Sequence, residues 1–294
     1  MIRFTVVIPN LHSPTIDRTL ASLEAQSLDP ELFEIIVVGM DRFGLVQRGG
    51  RVHFDASDRP LSPAEARNRG AAQSRGELIA FIDADCEARE DWLAVLDARL
   101  RDPEVAVVGG GVEFDTRSYW KLADNLSMFY EYLSLHAQGE RSQLPSLNLA
   151  IRRCAFEEVG GFDERYPRPA GEDSDLTIRL RQRGYSLKFE PRAVVFHNPT
   201  RKNVFDLLRH GYYQGKYSTK VDGRYAGKEG LRGIFRTRPG LVLFSPLLAA
   251  GVTLRMFTRY PTLRKYWPAA PAIYLAKLAW CFGAANHPVF EEPA

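Results

Sequence analysis

Asp83 and Asp85 close the apolar run Glu77-Leu78-Ile79-Ala80-Phe81-Ile82, one residue apart. Alternate side chains on an extended chain point the same way, so both carboxylates can share one face where the strand leaves the core. Such a pair is a ready site for a hard divalent cation. A second acidic cluster, Gly171-Glu172-Asp173-Ser174-Asp175, opens a helical run with Leu176, Ile178 and Leu180 on its apolar face. Carboxylates at a helix N-terminus are partly accounted for by capping and by the macrodipole. Abstraction of a hydroxyl proton also needs a carboxylate held apart from the cation, and Glu172 or Asp173 can supply it. His197 ends an apolar strand, where its imidazole either bonds a backbone carbonyl or joins the two aspartates around an ion such as Mn²⁺. Arg67 lies on a helix that ends shortly before the acidic strand. Its forked guanidinium either pairs with two oxygens of a diphosphate or sits on the polar face of that helix.

The elements that must carry these residues alternate as in a doubly wound α/β sheet. Strands are expected at Arg3–Ile8, Phe33–Val38, the run ending at Asp83, Val105–Gly109, and from Ser186 to Phe189 onward to His197; helices are expected at Thr15–Gln26, from Pro63 to about Gln73, at Asp91–Leu100 and after Gly171. The helix at Pro63 is the most sharply signalled, because Ser62-Pro63-Ala64-Glu65 combines a hydroxyl cap, a first-turn proline and a glutamate at the third position. The stretch Gly39 to Leu61 reads as a loop, and Phe114 to Pro145 as aromatic and helical, its Trp120, Phe129, Tyr130 and Tyr132 serving either packing or a sugar-binding wall. Ligands of open α/β sheets bind outside the carboxyl ends of the strands. The first strand ends at Pro9-Asn10, so a nucleotide there can meet Pro9, Arg67 and a metal together.

At 294 residues, with 45% hydrophobic and 26% charged side chains, the chain can bury a sizeable core. Cys86, Cys154 and Cys281 are an odd number without close spacing, which points to a reducing compartment and away from disulfides or a thiolate metal site. Met1 to Pro9 lacks the pattern of a signal peptide, and the expected location is cytoplasmic, at the inner face of the membrane. From Arg201 onward there are 15 Lys and Arg against 5 Asp and Glu, a balance of +10, leaving the first 200 residues at −7. The basic part also holds two apolar stretches, Gly240–Leu254 and Pro268–Ala285, each short of the roughly 20 residues that span a bilayer. Cations beside apolar side chains suit an anionic membrane surface; a pair of core helices or true spanning helices are the alternatives. No nucleic-acid motif accompanies this charge. The expected division is a catalytic domain at 1–200, with a nucleotide-binding half at 1–110 and an acceptor half at 111–200, followed by a helical, basic region at 201–294.

The stretches Val6-Val7-Ile8-Pro9, Thr19-Leu20 through Gln26, Glu34-Ile35-Ile36-Val37-Val38, Ala66-Arg67-Asn68-Arg69-Gly70, Gly76 to Asp85, Gly160-Gly161-Phe162-Asp163-Glu164 and Gly171-Glu172-Asp173, in this order, resemble the family 2 glycosyltransferases with the GT-A fold. The resemblance covers roughly the first 200 residues. It implies a mainly parallel sheet flanked by helices, with the C-terminal helical region as an extension. It further implies that Asp83 touches a nucleotide-sugar, that Asp85 holds Mg²⁺ or Mn²⁺ on the diphosphate, that His197 completes the metal shell, and that Glu172-Asp173 contains the catalytic base, with Asp173 preferred. Asn148, followed by Arg152-Arg153, resembles the family segment near donor sugar and acceptor. One departure concerns the nucleobase: the family's usual Asp-Asp-Gly-Ser after the second strand is replaced by Gly39-Met40-Asp41-Arg42.

The reaction so implied is inverting transfer of a sugar from a nucleoside diphosphate to a hydroxyl of a saccharide or lipid-linked acceptor. An aspartate-nucleophile phosphatase also places Asp-x-Asp after an apolar strand, but usually near its N-terminus and with a hydroxyl residue following, where this chain has Cys86-Glu87. A sugar nucleotidyltransferase is expected to carry a Gly-rich loop after its first strand, and Asn10-Leu11-His12-Ser13 is no such loop. A non-catalytic saccharide-binding protein is the remaining rival.

Overall fold

The computed structural model describes residues 2–47, 49–219, 225 and 233–288. Its elements in chain order are β1 (Phe4–Leu11), α1 (Ile16–Glu24), β2 (Phe33–Met40), β3 (Val52–Ala56), α2 (Pro63–Ala72), β4 (Leu78–Ile82), β5 (Cys86–Ala88), α3 (Trp92–Leu100), β6 (Val107–Phe114), α4 (Tyr119–Phe129), β7 (Gly139–Glu140), β8 (Asn148–Arg152), α5 (Arg153–Glu158), α6 (Glu172–Gln182), β9 (Leu187–His197), α7 (Val204–Lys216), α8 (Arg238–Arg259) and α9 (Ala270–Ala285). They group into two units. The first comprises residues 1–113, 131–167 and 172–198; the second comprises 114–130, 168–171 and 199–294. The boundary read near residue 200 is therefore crossed by two earlier segments, and within the expected C-terminal region residues 220–224, 226–232 and 289–294 lie outside the described residues.

The first unit is built on a nine-stranded sheet in the order β3-β2-β1-β4-β8-β6-β9-β5, with β7 beside β9. β1 and β2 are continuous apolar runs because their parallel strands are covered on both faces, and α2 packs on both of them. The parallel order holds for β3-β2-β1-β4. Beyond it β8 runs antiparallel to both β4 and β6, and β5 and β7 run antiparallel to β9. Phe81, Phe156 and Phe162 meet tilted or edge-on in the core, with centroids 5.2 to 5.7 Å apart.

α2 begins as its sequence dictates: Ser62 Oγ accepts from Glu65 N at 3.2 Å, and the Glu65 carboxylate accepts from Ser62 N at 2.8 Å. Several elements differ from expectation. β3 occupies part of the stretch read as loop, and β8 carries the segment around Asn148. β6 runs on through Gly109-Gly110-Gly111 to Phe114. These glycines do not end the strand; a Cβ on Gly110 would lie 2.1 Å from Ala193 O, so they admit a closely approaching backbone. Only residues 119–129 of the expected helical stretch form a long helix. Its aromatics pack: Tyr132 meets Phe189 at 6.5 Å, and Tyr130 meets Tyr260 at 5.7 Å.

The second unit is helical among its described residues. α9 packs against α4, α7 and α8. Asn203 caps α7 through Asp206 N at 3.0 Å, and Thr237 caps α8 through Gly240 N at 3.1 Å. The apolar stretch read at Gly240–Leu254 extends at both ends into the 22 residues of α8, long and apolar enough by length and composition to cross a bilayer. Buried Asp124 on α4 pairs with His210 Nδ1 of α7 at 2.6 Å and with Arg201 Nε at 3.1 Å.

Candidate active site

The acidic strand end does not keep the alternation of an extended chain. β4 stops at Ile82, and Cys86 N donates to Asp83 O at 3.0 Å, closing a turn over Asp83-Ala84-Asp85. The two carboxylates consequently meet different partners. Asp83 accepts from Arg67 Nη2 at 2.7 Å, and Arg67 Nη1 donates to Glu172 at 3.0 Å. The guanidinium, only 3% exposed, thus bridges the strand end to the start of α6, where Glu172 lies 105 residues beyond Arg67. The ring of Phe162 lies 5.4 Å from it.

The loop Gly160-Gly161-Phe162-Asp163-Glu164 holds that ring in place. Phe162 N donates to Asn68 Oδ1 at 2.8 Å, while Asn68 Nδ2 donates to Phe162 O and Glu164 at 2.9 Å each. Gly161 has φ +69°, and a Cβ there would sit 2.7 Å from Asn68 Oδ1. The paired glycines and the Arg67-Asn68 dipeptide are two halves of one support.

Asp85 turns the other way. Its Oδ2 lies 3.6 Å from His197 Nε2, and Asp85, Cys86 and His197 offer three potential metal-ligand atoms within 4.8 Å of one another. Carboxylate and imidazole in that compass could hold a divalent ion. Asp83, expected at the metal with Asp85 and His197, faces Arg67 instead, and Cys86 stands in the trio. The signal for Cys86 is its register: on the antiparallel pair β5·β9 it lies directly opposite His197. Spacing along the chain carries no trace of that pairing.

The remaining expected residues fall on both sides of the division between site and framework. Pro9 is half-buried at the carboxyl end of β1, beside Val38. The following loop reaches the acidic turn, where Ser13 Oγ donates to Ala84 O at 2.8 Å. Asn148 is fully buried and belongs to the framework: its Oδ1 accepts from Trp92 Nε1 at 2.8 Å, and its Nδ2 donates to Gly111 O at 3.0 Å and Ala193 O at 2.8 Å. The Arg152-Arg153 pair lies at the opposite end of the sheet from Asp83, since antiparallel β8 puts Asn148 beside Ile82 and Arg152 beside Leu78. Asp41 folds its own loop, accepting from Phe43 N at 3.2 Å and Val46 N at 2.7 Å.

The second acidic pair divides by exposure. Glu172 is 3% exposed; burial first, then the neighbouring charge of Asp173, pushes its carboxyl up to about 7 against the pull of Arg67. Its Oε2 carries no hydrogen bond among the described residues. Asp173 is half-buried and accepts from Ser174 N at 2.7 Å and Ser146 N at 3.3 Å. Burial raises its pKa too, opposed by Arg67 and those two N–H groups. The site therefore holds two carboxylates tied to one arginine, one grouped with a thiol and an imidazole, and a half-open one with raised basicity.

A family model described as glycosyltransferase like family 2 matches residues 44–210, a span that contains Arg67, the acidic turn, Glu172-Asp173 and His197. The chain belongs to this family. The pre-mycofactocin glycosyltransferase of Mycobacterium tuberculosis is 33% identical over 159 residues, covering 52% of this chain and 33% of that protein, so the chain spans about a third of that relative's length. The glucosyl-dolichyl phosphate glucuronosyltransferase of Haloferax volcanii is 27% identical over 230 residues, covering 69% of this chain and 71% of the relative. Among solved structures, a mannosyltransferase from Pyrobaculum calidifontis in complex with GDP-Man and Mn²⁺ is similar with a TM-score of 0.59 at 18% identity, over 93% of this chain and 85% of that one. That likeness shows the fold of this family 2 member to be GT-A.

Proposed function

We propose that the chain transfers a sugar from a nucleoside-diphosphate donor to a hydroxyl of a saccharide or lipid-linked acceptor, with inversion, at a membrane surface in cell-surface or exopolysaccharide synthesis. The observation that carries this reading is the gathering of Arg67, Asp83, Asp85, His197 and Asp173 about the turn that follows β4, at its carboxyl end in the middle of the sheet. Asp85 and His197, with Cys86 beside them, would hold Mg²⁺ or Mn²⁺. When bound, that ion neutralises charge on the departing diphosphate. Asp83, oriented by Arg67, binds the donor, with Pro9 lining the strand end. Arg67 is buried between two carboxylates and acts by holding them, which revises the direct diphosphate contact its residue type invites.

Asp173 deprotonates the acceptor hydroxyl. It is the more open member of the pair, and its burial-raised pKa makes it a stronger base than a solvated aspartate. Glu172 is enclosed and committed to Arg67, which fits a positioning role. Support for the donor class comes from the Pyrobaculum structure with its GDP-Man and Mn²⁺, and for a lipid-linked acceptor from the Haloferax relative named for a glucosyl-dolichyl phosphate.

Calorimetric titration of UDP, GDP and dTDP with Mn²⁺ or with EDTA tests the reading. One nucleotide should bind only with metal, and Asp85→Ala should abolish that binding. Asp173→Asn should leave nucleotide binding intact while transfer falls by about 10²- to 10⁴-fold. Metal-independent binding without turnover would turn the conclusion to a non-catalytic binding protein.

A further inference from the structure

Within the second unit, α8 carries large apolar side chains on its solvent face as well as on its packed one. Its buried residues are Leu241, Met256 and Phe257 near the two ends and Gly240, Ser245, Ala249 and Thr253, small residues that fill the middle of the inner face, whereas Leu243 and Leu247 are each 71% exposed and Leu254 is 55% exposed. Positions 243, 247, 250 and 254 recur at the spacing of one helical stripe, and all four face solvent. The hydroxyls turned inward bond within the helix, Ser245 Oγ to Val242 O and Thr253 Oγ1 to Ala249 O, at 2.8 Å each. α9, on which α8 packs, is joined to α7 in the same manner. A Cβ on Gly215 would lie 1.9 Å from Trp280 O, and one on Gly283 would lie 1.8 Å from Tyr212 O, so the backbones of α7 and α9 touch through glycines. Close backbone approach through small residues, with a stripe of leucines left outward, is the packing of helices whose outer face meets hydrocarbon.

Charge says which apolar surroundings suit this face. Residues 233–288 contain seven Lys and Arg and not one Asp or Glu. The cations bracket the stripe, Arg236 and Arg238 before it and Arg255, Arg259, Arg264 and Lys265 after it. A second copy of the chain docked on this face would bring two such sets of cations together unneutralised. An anionic lipid surface neutralises them while burying the leucines.

We infer that α8 lies in the plane of an anionic bilayer, its Leu243-Leu247-Leu254 stripe in one leaflet and its flanking arginines at the headgroups. The 22 residues of α8 are long enough to cross a bilayer, but its uncharged run from Pro239 to Leu254 is only about 24 Å long as helix, so that spanning would draw its flanking arginines toward the roughly 30 Å hydrocarbon core, and the other side of α8 is occupied by protein. This deepens the membrane contact proposed above, and its test reads binding alone, so sugar transfer can fail or succeed independently.

The experiment is flotation of the full chain with phosphatidylcholine vesicles, with and without phosphatidylglycerol. The protein should float only with the anionic vesicles and be released by alkaline carbonate. Leu243→Ser with Leu247→Ser should weaken partition by about 10-fold or more, and Arg255→Gln with Arg259→Gln by about 10-fold at low salt, both with unchanged circular dichroism. Failure of the unaltered chain to float, or flotation indifferent to the leucine pair, overturns the inference. Retention after carbonate would mean a spanning helix, and a vesicle-free dimer dissociated by the leucine substitutions would assign the face to a second copy; either result also overturns it.

Discussion

At the scale of single residues the site is organised by Arg67. One buried cation between Asp83 and Glu172, with Asp173 adjacent, leaves negative charge in excess, and Glu172 responds by holding its proton up to about 7 rather than its ordinary 4.5. The folded protein then binds that proton more tightly than the unfolded chain does, so its stability should decline as pH rises between those two values and level off above them. Glu172→Gln keeps an oxygen for Arg67 and removes the ionisation. Urea midpoints taken near both ends of the window should differ less in the variant than in the parent, by on the order of a few kcal/mol at most. An equal slope in both would mean that Glu172 is not the group responsible.

At the scale of elements, packing geometry separates glycines that are required from glycines that are not. Gly283 on α9 faces Tyr212 O across a gap with no room for a methyl group, and the obstacle is backbone that cannot swing aside. Gly251, exposed on α8, has nothing within 4 Å of where its Cβ would be. Gly283→Ala should therefore destabilise the helical unit by about 1–3 kcal/mol through overpacking. Gly251→Ala should be neutral or stabilising by up to about 1 kcal/mol through helix propensity. Thermal melts followed at the helical circular dichroism band distinguish them, and equal effects would show that α7 and α9 do not pack backbone to backbone.

For the whole molecule, spatial grouping departs from chain order. α4 lies in the middle of the sequence yet packs with α7 and α9, and its buried Asp124 is paired with Arg201 and His210. Ending the chain after Lys202 would strip α7 and α9 from α4 and leave Asp124 short of His210, a buried charge with half its compensation removed. Such a chain should aggregate or melt well below the full-length protein. A soluble truncated chain with an unshifted melting temperature would show that α4 does not depend on the C-terminal helices.

Local chemistry by itself determined a good deal of this protein. The Ser62-Pro63-Glu65 start of α2, the apolar runs of β1, β2 and β4, and the acidic dipeptide opening α6 are all decided by residues within a few positions of one another, and they form where the sequence places them. Family membership was legible for the same reason, since its motifs are short and ordered. What the acidic residues touch was decided only by tertiary structure. Asp83 and Asp85 part company because a turn, and not an extended strand, holds them; Cys86 meets His197 because β5 and β9 pair antiparallel; Asn148 is absorbed into the framework because β8 enters between β4 and β6. The turn is local, but the other two contacts join segments far apart in the chain, and the direction and register of a strand pairing depend on the whole sheet's burial of its faces, which no local run of side chains encodes.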